Sequence, residues 1–391
     1  MNFLLEGQQS SRMRLILCIY TLFAFSAIFF SSFNWAQAGP RGVERDFRVS
    51  YETRDTEGAD ISRFLVHTKW QWEIDRRSKL AFEIPFGSTS IEDDATGEDF
   101  DLSGVKDASL DYRLNVREAR GSRPGLFYSA RMNLPTGRAT LDDEEQAVVN
   151  AINDVSEGFV NAEYGRGFAL SLGMGVVLNK GANGSLEISG GYNYRGEFDP
   201  SSGITKDDSD IFRLGVKSLR EVTPRQKISW GFDALIFTDG ELSDDALAGD
   251  ATIERDPDLI FSYATYQEIN PGFKRDLLFA YTLRGERDFV DAGGTNVTPN
   301  TDLGDRINLE LRFHRRLTPI SWLDYGLSYR KTFDSTVEDG SDLDTERDDA
   351  RVVVGATREV NAGFDLKGDV QFGLTDEARD FVASVGGSWS F

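Results

Sequence analysis

Apolar side chains recur along this chain with a period of two. Phe47, Val49 and Tyr51 begin the series, followed by Phe64, Val66, Trp70, Trp72 and Ile74, then Leu80, Phe82, Ile84 and Phe86. The same alternation returns at Leu110–Val116, Leu126–Leu134, Ile228–Ile236, Leu277–Leu283, Ile307–Phe313 and Phe364–Leu374. Period two places one apolar and one polar face on a strand. About sixteen such segments follow one another, most of about 10–13 residues, against about 9–11 for a tilted membrane strand. Their connections alternate in length. Tight ones lie at 75–78, 117–124, 180–184, 221–226, 270–272, 318–319 and 361–363. The others lie at 55–59, 88–103, 136–158, 197–208, 239–257, 287–303, 334–347 and 375–378, and most are long. The pattern predicts an all-β fold: a transmembrane, antiparallel, up-and-down β-barrel with short periplasmic turns, long extracellular loops and both termini in the periplasm. Residues 155–166 read as an upward extension of strand six. A soluble sandwich or propeller shares the alternation but needs neither the alternating connections nor an aromatic end.

The two ends support the barrel. Phe381 to Phe391 reads FVASVGGSWSF, with Phe381, Ala383, Val385, Gly387, Trp389 and Phe391 on one face. This segment resembles the closing strand of bacterial outer-membrane barrels, and the resemblance implies that Trp389 and Phe391 form the signal read by the barrel-assembly machinery. At the other end, Arg12 and Arg14 precede an apolar run from Leu15 to Phe30 and then Ala36-Gln37-Ala38. That is the order of a secretory signal peptide, and the run is shorter than the roughly 20 residues of a spanning helix. The expected organisation is a signal peptide at 1–38 and one barrel domain at 39–391, located in the cell outer membrane of a Gram-negative bacterium. The one cysteine, Cys18, lies inside the apolar run, so the mature chain has no disulfide framework.

Charge divides the chain further. The net charge is −22, and the acids gather in the outer connections: Glu92-Asp93-Asp94, Glu98-Asp99, Asp142 to Glu145, Asp207-Asp208, Asp244-Asp245 and Asp342 to Asp349. The strands are left basic. Opposite the apolar face lie Arg48, Glu52, His67, Lys69, Asp111, Arg113, Arg131, Arg195, Arg213, Lys217, Arg284, Arg312, Arg330 and Arg351. An arginine or lysine facing mid-membrane lipid costs roughly 2–4 kcal/mol, so this set faces the lumen. A barrel of about sixteen strands is too wide for wall side chains to fill and encloses water. Arg48, Lys69, Arg195, Arg213, Lys217, Arg312, Arg330 and Arg351 are the expected pore lining. The outer acids read as a solvated surface beside lipopolysaccharide, with divalent cations loosely bridging carboxylates. Asp342-Leu343-Asp344 with Glu346 lacks the spacing of an EF-hand loop, so no metal site or resident cofactor is expected. The acidic vestibule predicts a weak preference for cations, which the basic wall opposes.

The loop at 136–158 is the candidate constriction. Acids at Asp142, Asp143 and Glu144 suit a helix N-terminus, and Ala147, Val148, Ala151 and Ile152 form an apolar stripe. It resembles the third loop of general porins, which folds inward. In that arrangement its acids face Arg113 and Arg131; an exposed acidic loop with a short helix reads equally well.

Gly104 to Val116, GVKDASLDYRLNV, and Met132 to Gly137, MNLPTG, resemble an outer-membrane family associated with the meta-pathway of phenol degradation. The resemblance implies passage of small, hydrophobic or aromatic molecules. Strand one begins near Glu44, soon after the cleavage site, which leaves no room for an N-terminal plug or an energy-coupling domain and favours passive diffusion.

The reading is a channel for passive diffusion of small solutes through a water-filled lumen, with a transporter of small hydrophobic or aromatic compounds as the alternative. A barrel enzyme or a surface-adhesive protein is the second alternative. Against the enzyme, the only histidines are His67 and His314, neither set in a ligand motif, and no Gly-x-Ser-x-Gly is present. Gly173-Met174-Gly175 lies in a strand pattern and opens no phosphate loop. Expected partners are outer-membrane lipid, lipopolysaccharide, the barrel-assembly machinery and small solutes, with no nucleic acid; a homo-oligomer is compatible with the chain. Deleting residues 140–152 raises single-channel conductance if this loop narrows the pore; unchanged conductance contradicts the constriction.

Overall fold

The computed structural model describes residues 43–390 apart from 57–58, 94–98, 138–166, 182, 202–203, 245–250, 292–295, 303, 338–341, 344–346, 362 and 376–378. The wall is a closed antiparallel barrel of sixteen strands. They are β1 Val43–Thr56, β2 Ala59–Glu73, β3 Ser78–Asp93, β4 in two pieces, Asp99–Val105 and Ala108–Arg117, and β5 Gly125–Leu134. Next come β6 Ala169–Asn179, β7 Gly184–Arg195, β8 Ile211–Thr223, β9 Gln226–Phe237, β10 Asp258–Asn270 and β11 Phe273–Leu283. The last are β12 Arg306–Thr318, β13 Ser321–Thr332, β14 Arg347–Asn361, β15 Phe364–Gly373 and β16 Arg379–Ser390. Each pairs with its sequence neighbour, and β1 pairs with β16 from Glu44 against Ser390 to Asp55 against Arg379, which closes the ring.

The expected periplasmic turns fall where the sequence places them, and side chains build them. Asp75 Oδ1 accepts the N–H groups of Arg77 and Ser78 at 2.6 and 2.8 Å. Asn270 Oδ1 does the same for Gly272 at 2.9 Å. Short polar side chains that bond the backbone two residues on are what tight turns select. Gly181 and Gly363 sit in two other turns at φ 75° and 89°, a region that side chains with a Cβ rarely adopt.

Alternate side chains point to opposite faces. Leu172, Met174, Leu214, Leu327 and Phe372 belong to the apolar set and stay about half exposed, as a lipid-facing belt requires. Near the periplasmic edge the belt is aromatic and stacked. Phe273 packs on Phe313 at 5.8 Å between ring centroids, Phe313 on Tyr325 at 5.5 Å, and Trp389 on Phe364 at 4.6 Å. Such pairs contribute about 0.5–1.5 kcal/mol each beyond area burial. Trp389 thus ties β16 to β15; Phe391 lies outside the described residues.

The long outer connections 197–208, 239–257, 287–303 and 334–347 carry structure of their own. They contain short strands, Phe198–Ser201, Ile204–Asp207, Gly240–Asp244, Ala251–Arg255, Glu286–Asp291, Asn296–Asp302, Ser335–Val337 and Asp342–Leu343, which join in a second, eight-stranded sheet above the wall. Hairpins continue past the membrane edge and pair with each other. Both faces of these segments are rich in polar residues, so the period-two signal that marks the wall strands is missing. Several wall strands also run longer than expected, β3 to 16 residues and β2 and β14 to 15.

The outer edge of the wall is held by a repeated clasp. Asp107, Asp210, Asp258, Asp305 and Asp348 each stand at or beside the start of a wall-strand segment running down from the outer rim. Asp210 accepts the Arg195 N–H at 2.8 Å and the Tyr192 hydroxyl, and its own N–H donates to Thr238 Oγ1 at 2.9 Å. Asp305 accepts the Arg284 N–H at 3.2 Å and the Tyr281 hydroxyl. Asp258 accepts the Gly285 N–H at 3.0 Å, and Asp348 the Tyr329 hydroxyl at 2.7 Å. The tyrosine rings belong to the outward face while their hydroxyls reach the rim, the placement an interface favours. Asp210→Ala leaves a part-buried N–H without its acceptor, which costs about 1–3 kcal/mol. The variant loses its compact gel migration at a lower temperature than the parent; an unchanged melting temperature contradicts the clasp.

Candidate functional site: the lumen

The two motifs behind the family resemblance meet at one such clasp. β4 breaks at Lys106-Asp107, and the break changes which alternate positions face inward. Thr136, just beyond β5, accepts the Ala108 N–H and donates its hydroxyl to the Lys106 carbonyl, both at 2.9 Å. Asp107 Oδ1 accepts the Gly137 N–H at 3.0 Å. GVKDASLDYRLNV and MNLPTG are therefore the two halves of a joint that reorients β4.

Within the barrel, one side is packed and the other open. On β1 to β4 the inward positions near the outer end are buried: Glu52, Arg54, Arg63, Leu65, Thr89, Leu102 and Lys106 are each at most 2% exposed. Ile61 and Ile91 join them. The sequence reading missed Arg54, Arg63, Lys106 and the inward apolar patch; strand parity assigns Arg54, Arg63, Ile61, Leu65 and Ile91 to the lumen, but Leu102 and Lys106 lie before the break in β4, where the parity of Leu110–Val116 no longer holds.

Below and beside this packing the lumen opens into two recesses. The larger, about 780 Å³, spans β2 to β9, and the smaller, about 530 Å³, spans β8 to β14. Register explains both. One row across the wall runs Lys79, Arg113, Ser129, Gly173, Gly191, Arg213. A second runs Lys217, Gly231, Ser262, Ala280, Asn308, Arg330. In each, three of the smallest side chains lie between cations. Gly173 and Gly175 have a spatial role here. A Cβ on Gly173 would come within 2.7 Å of Ser129 Oγ, and one on Gly175 within 2.4 Å of the Phe127 ring, which lies inward across it.

The expected lining residues have distinct partners. Arg113 stacks over Phe127 at 4.3 Å, and Arg131 faces Asp111 at 3.8 Å. The acids proposed to oppose them, Asp142, Asp143 and Glu144, lie outside the described residues. Arg213 forks onto Asp233 through Nε at 2.9 Å and an outer nitrogen at 2.8 Å. Arg48 reaches Asp369 at 3.4 Å and Ser384 at 3.1 Å across β16. Arg312 binds Glu310 at 2.5 Å, Arg330 binds Asn308 at 2.8 Å, and Arg351 is buried against Asp349 at 2.8 Å. Lys69 borders the larger recess and Lys217 the smaller. Above the rim, Arg195 pairs with Asp208 at 3.7 Å. There too, Arg255 lies on Phe237 at 4.0 Å and on Asp258 at 2.6 Å. Burial holds the Arg255 guanidinium below its ordinary pKa, against the pull of Asp258.

Both histidines face carboxylates. His67 Nδ1 lies 3.4 Å from Glu83, and His314 lies between Asp324 at 2.6 Å and Asp276 at 3.1 Å. With a carboxylate on each ring nitrogen, His314 has none left to activate a serine.

A closed barrel with an apolar outer belt and a charged interior has the fold of an outer-membrane β-barrel. Neither a protein-family profile nor any curated protein matches the chain. Among solved structures, it is similar to an outer membrane channel from Pseudomonas putida F1, at 16% identity and TM-score 0.40, over 90% of this chain and 97% of that one. It is also similar to the CymD monoaromatic hydrocarbon channel, at 12% identity and TM-score 0.44, over 90% and 89%. Salmonella typhi OmpF aligns at 14% identity and TM-score 0.38, over 89% and 97%.

The glycine floor generates a direct test. Gly173→Leu projects a butyl group into the larger recess and lowers single-channel conductance, whereas Met174→Leu, on the lipid face, leaves it unchanged. Equal conductance in both variants contradicts the recess as part of the water path.

Proposed function

We propose that this protein is a passive channel for small hydrophilic solutes. The observation that carries the reading is the open side of the lumen. Its wall is floored by glycine, serine and alanine and rimmed by exposed charged side chains, a surface that water wets and that offers hydrocarbon little to bind. Nothing in the reading requires an energy source, and solutes move down their gradient.

The aromatic alternative implied by the GVKDASLDYRLNV and MNLPTG resemblance would call for apolar lining along the path. Of the inward apolar residues, Ile61, Leu65, Ile91 and Leu102 are buried on the packed side, while Ile211, Leu235 and Leu278 border the open recesses beside charged neighbours.

Reconstitution decides between them. Purified barrel in planar bilayers gives discrete conductance steps, and proteoliposomes swell in small sugars and amino acids at rates that fall with solute size. Absence of conductance contradicts the channel. Uptake of toluene-class molecules without swelling in sugars favours the aromatic reading.

A further inference from the structure

The two rows of small residues between cations have a chemical consequence for what the channel passes. Four cations on the open side, Arg113, Arg131, Arg213 and Lys217, keep substantial exposure to the lumen. Lys217 has no carboxylate within 4.0 Å among the described residues, and Arg113 has only the Phe127 ring. Arg131 is loosely held by Asp111, at 3.8 Å, and Arg213 is engaged by Asp233 at 2.8 Å while its outer face stays exposed. Arg113 and Arg213 stand in one register row, four strand spacings apart, or about 19 Å along the wall. The floor between them is Ser129, Gly173 and Gly191, so among the described residues this row carries no side chain larger than a hydroxymethyl group.

We propose that this floor is a weak binding station for small hydrophilic organic carboxylates, and that the channel therefore prefers anions to cations. The inference rests on the channel reading. An arginine presents a fork of N–H donors that matches a carboxylate, and the neighbouring serine hydroxyls can donate to it or to a hydroxyl on the same solute. Phe127, the aromatic ring turned into this floor, has one face covered by Arg113 and lies against Gly175, so it offers no open stacking surface to an arene. Exposure keeps the affinity low. A charge pair in a high-dielectric setting is weak, so the solute is held briefly and released.

The acidic outer connections argue for the opposite selectivity, and distance decides. Arg213 follows Asp210 by three residues, which sets it about 10 Å below the rim, and the acids above the rim are farther still. The Debye length is about 8 Å at physiological ionic strength. The outer acids are therefore largely screened at the floor, where Arg113, Lys217 and the loosely held Arg131 set the local potential and Asp233 already neutralises Arg213. At low salt the outer field reaches farther and the preference weakens.

The test is the reversal potential of the full-length barrel in a planar bilayer under a potassium chloride gradient. The expected result is a chloride-to-potassium permeability ratio above unity. In the Arg113→Ala/Arg213→Ala/Lys217→Ala variant, checked for compact gel migration, the ratio drops to unity or below. Adding gluconate reduces chloride current in the parent and not in that variant, and Arg113→Lys retains selectivity while losing part of the gluconate block. A conducting parent barrel with a ratio at or below unity overturns this proposal and leaves the channel reading intact. A barrel that inserts but never conducts overturns both.

Discussion

A strand in hydrocarbon cannot leave an N–H or C=O unpaired, because no water is present to take its place and each open group costs several kcal/mol. The β1–β16 seam is where this chain meets that constraint. Val49 opposite Val385 and Phe47 opposite Gly387 remove the last two edges of the sheet. Closure then fixes the rest. Every strand has one face toward lipid and one toward the lumen, and a shift of one residue at the seam would exchange them. Arg48 bonded to Asp369 and Ser384 across the seam, and Trp389 stacked on Phe364 on the other face, hold the same register from inside and outside.

The diameter that follows from closure is too large for side chains to fill, and the protein treats its two halves differently. On β1 to β4, buried charges and apolar side chains pack the interior near the outer end. On β5 to β13, glycines and serines at inward positions keep the wall thin. Met174 and Leu172 face lipid while Gly173 between them faces water, so a glycine in these strands marks the pathway. The rim aspartates close the account at the top, where wall hairpins leave the membrane and the outer sheet begins.

Most of the wall was legible in the sequence because burial in lipid imposes period two, and side-chain-capped turns such as Asp75 and Asn270 announce themselves locally. The outer sheet was not, since its strands are two to seven residues long, too short for a period-two run to stand out, and pair between distant hairpins. The lumen charges were legible by parity, but their partners were not: that Arg213 holds Asp233 while Arg113 holds only an aromatic ring depends on register between strands. The clasp of Asp210 and Thr238 left a trace, an aspartate beside the start of successive inward-running strands, that period-two reading passes over because it looks only at apolar positions.

The assignment of faces underlies every functional statement, and cysteine accessibility tests it most directly. Cys18 is the chain's single cysteine and lies in the expected signal peptide. Single cysteines at Ser171, Leu172, Gly173 and Met174 would be challenged in outer-membrane vesicles with a charged, membrane-impermeant thiol reagent. The account predicts modification at positions 171 and 173 and protection at 172 and 174. Uniform modification, or the reverse alternation, would contradict it.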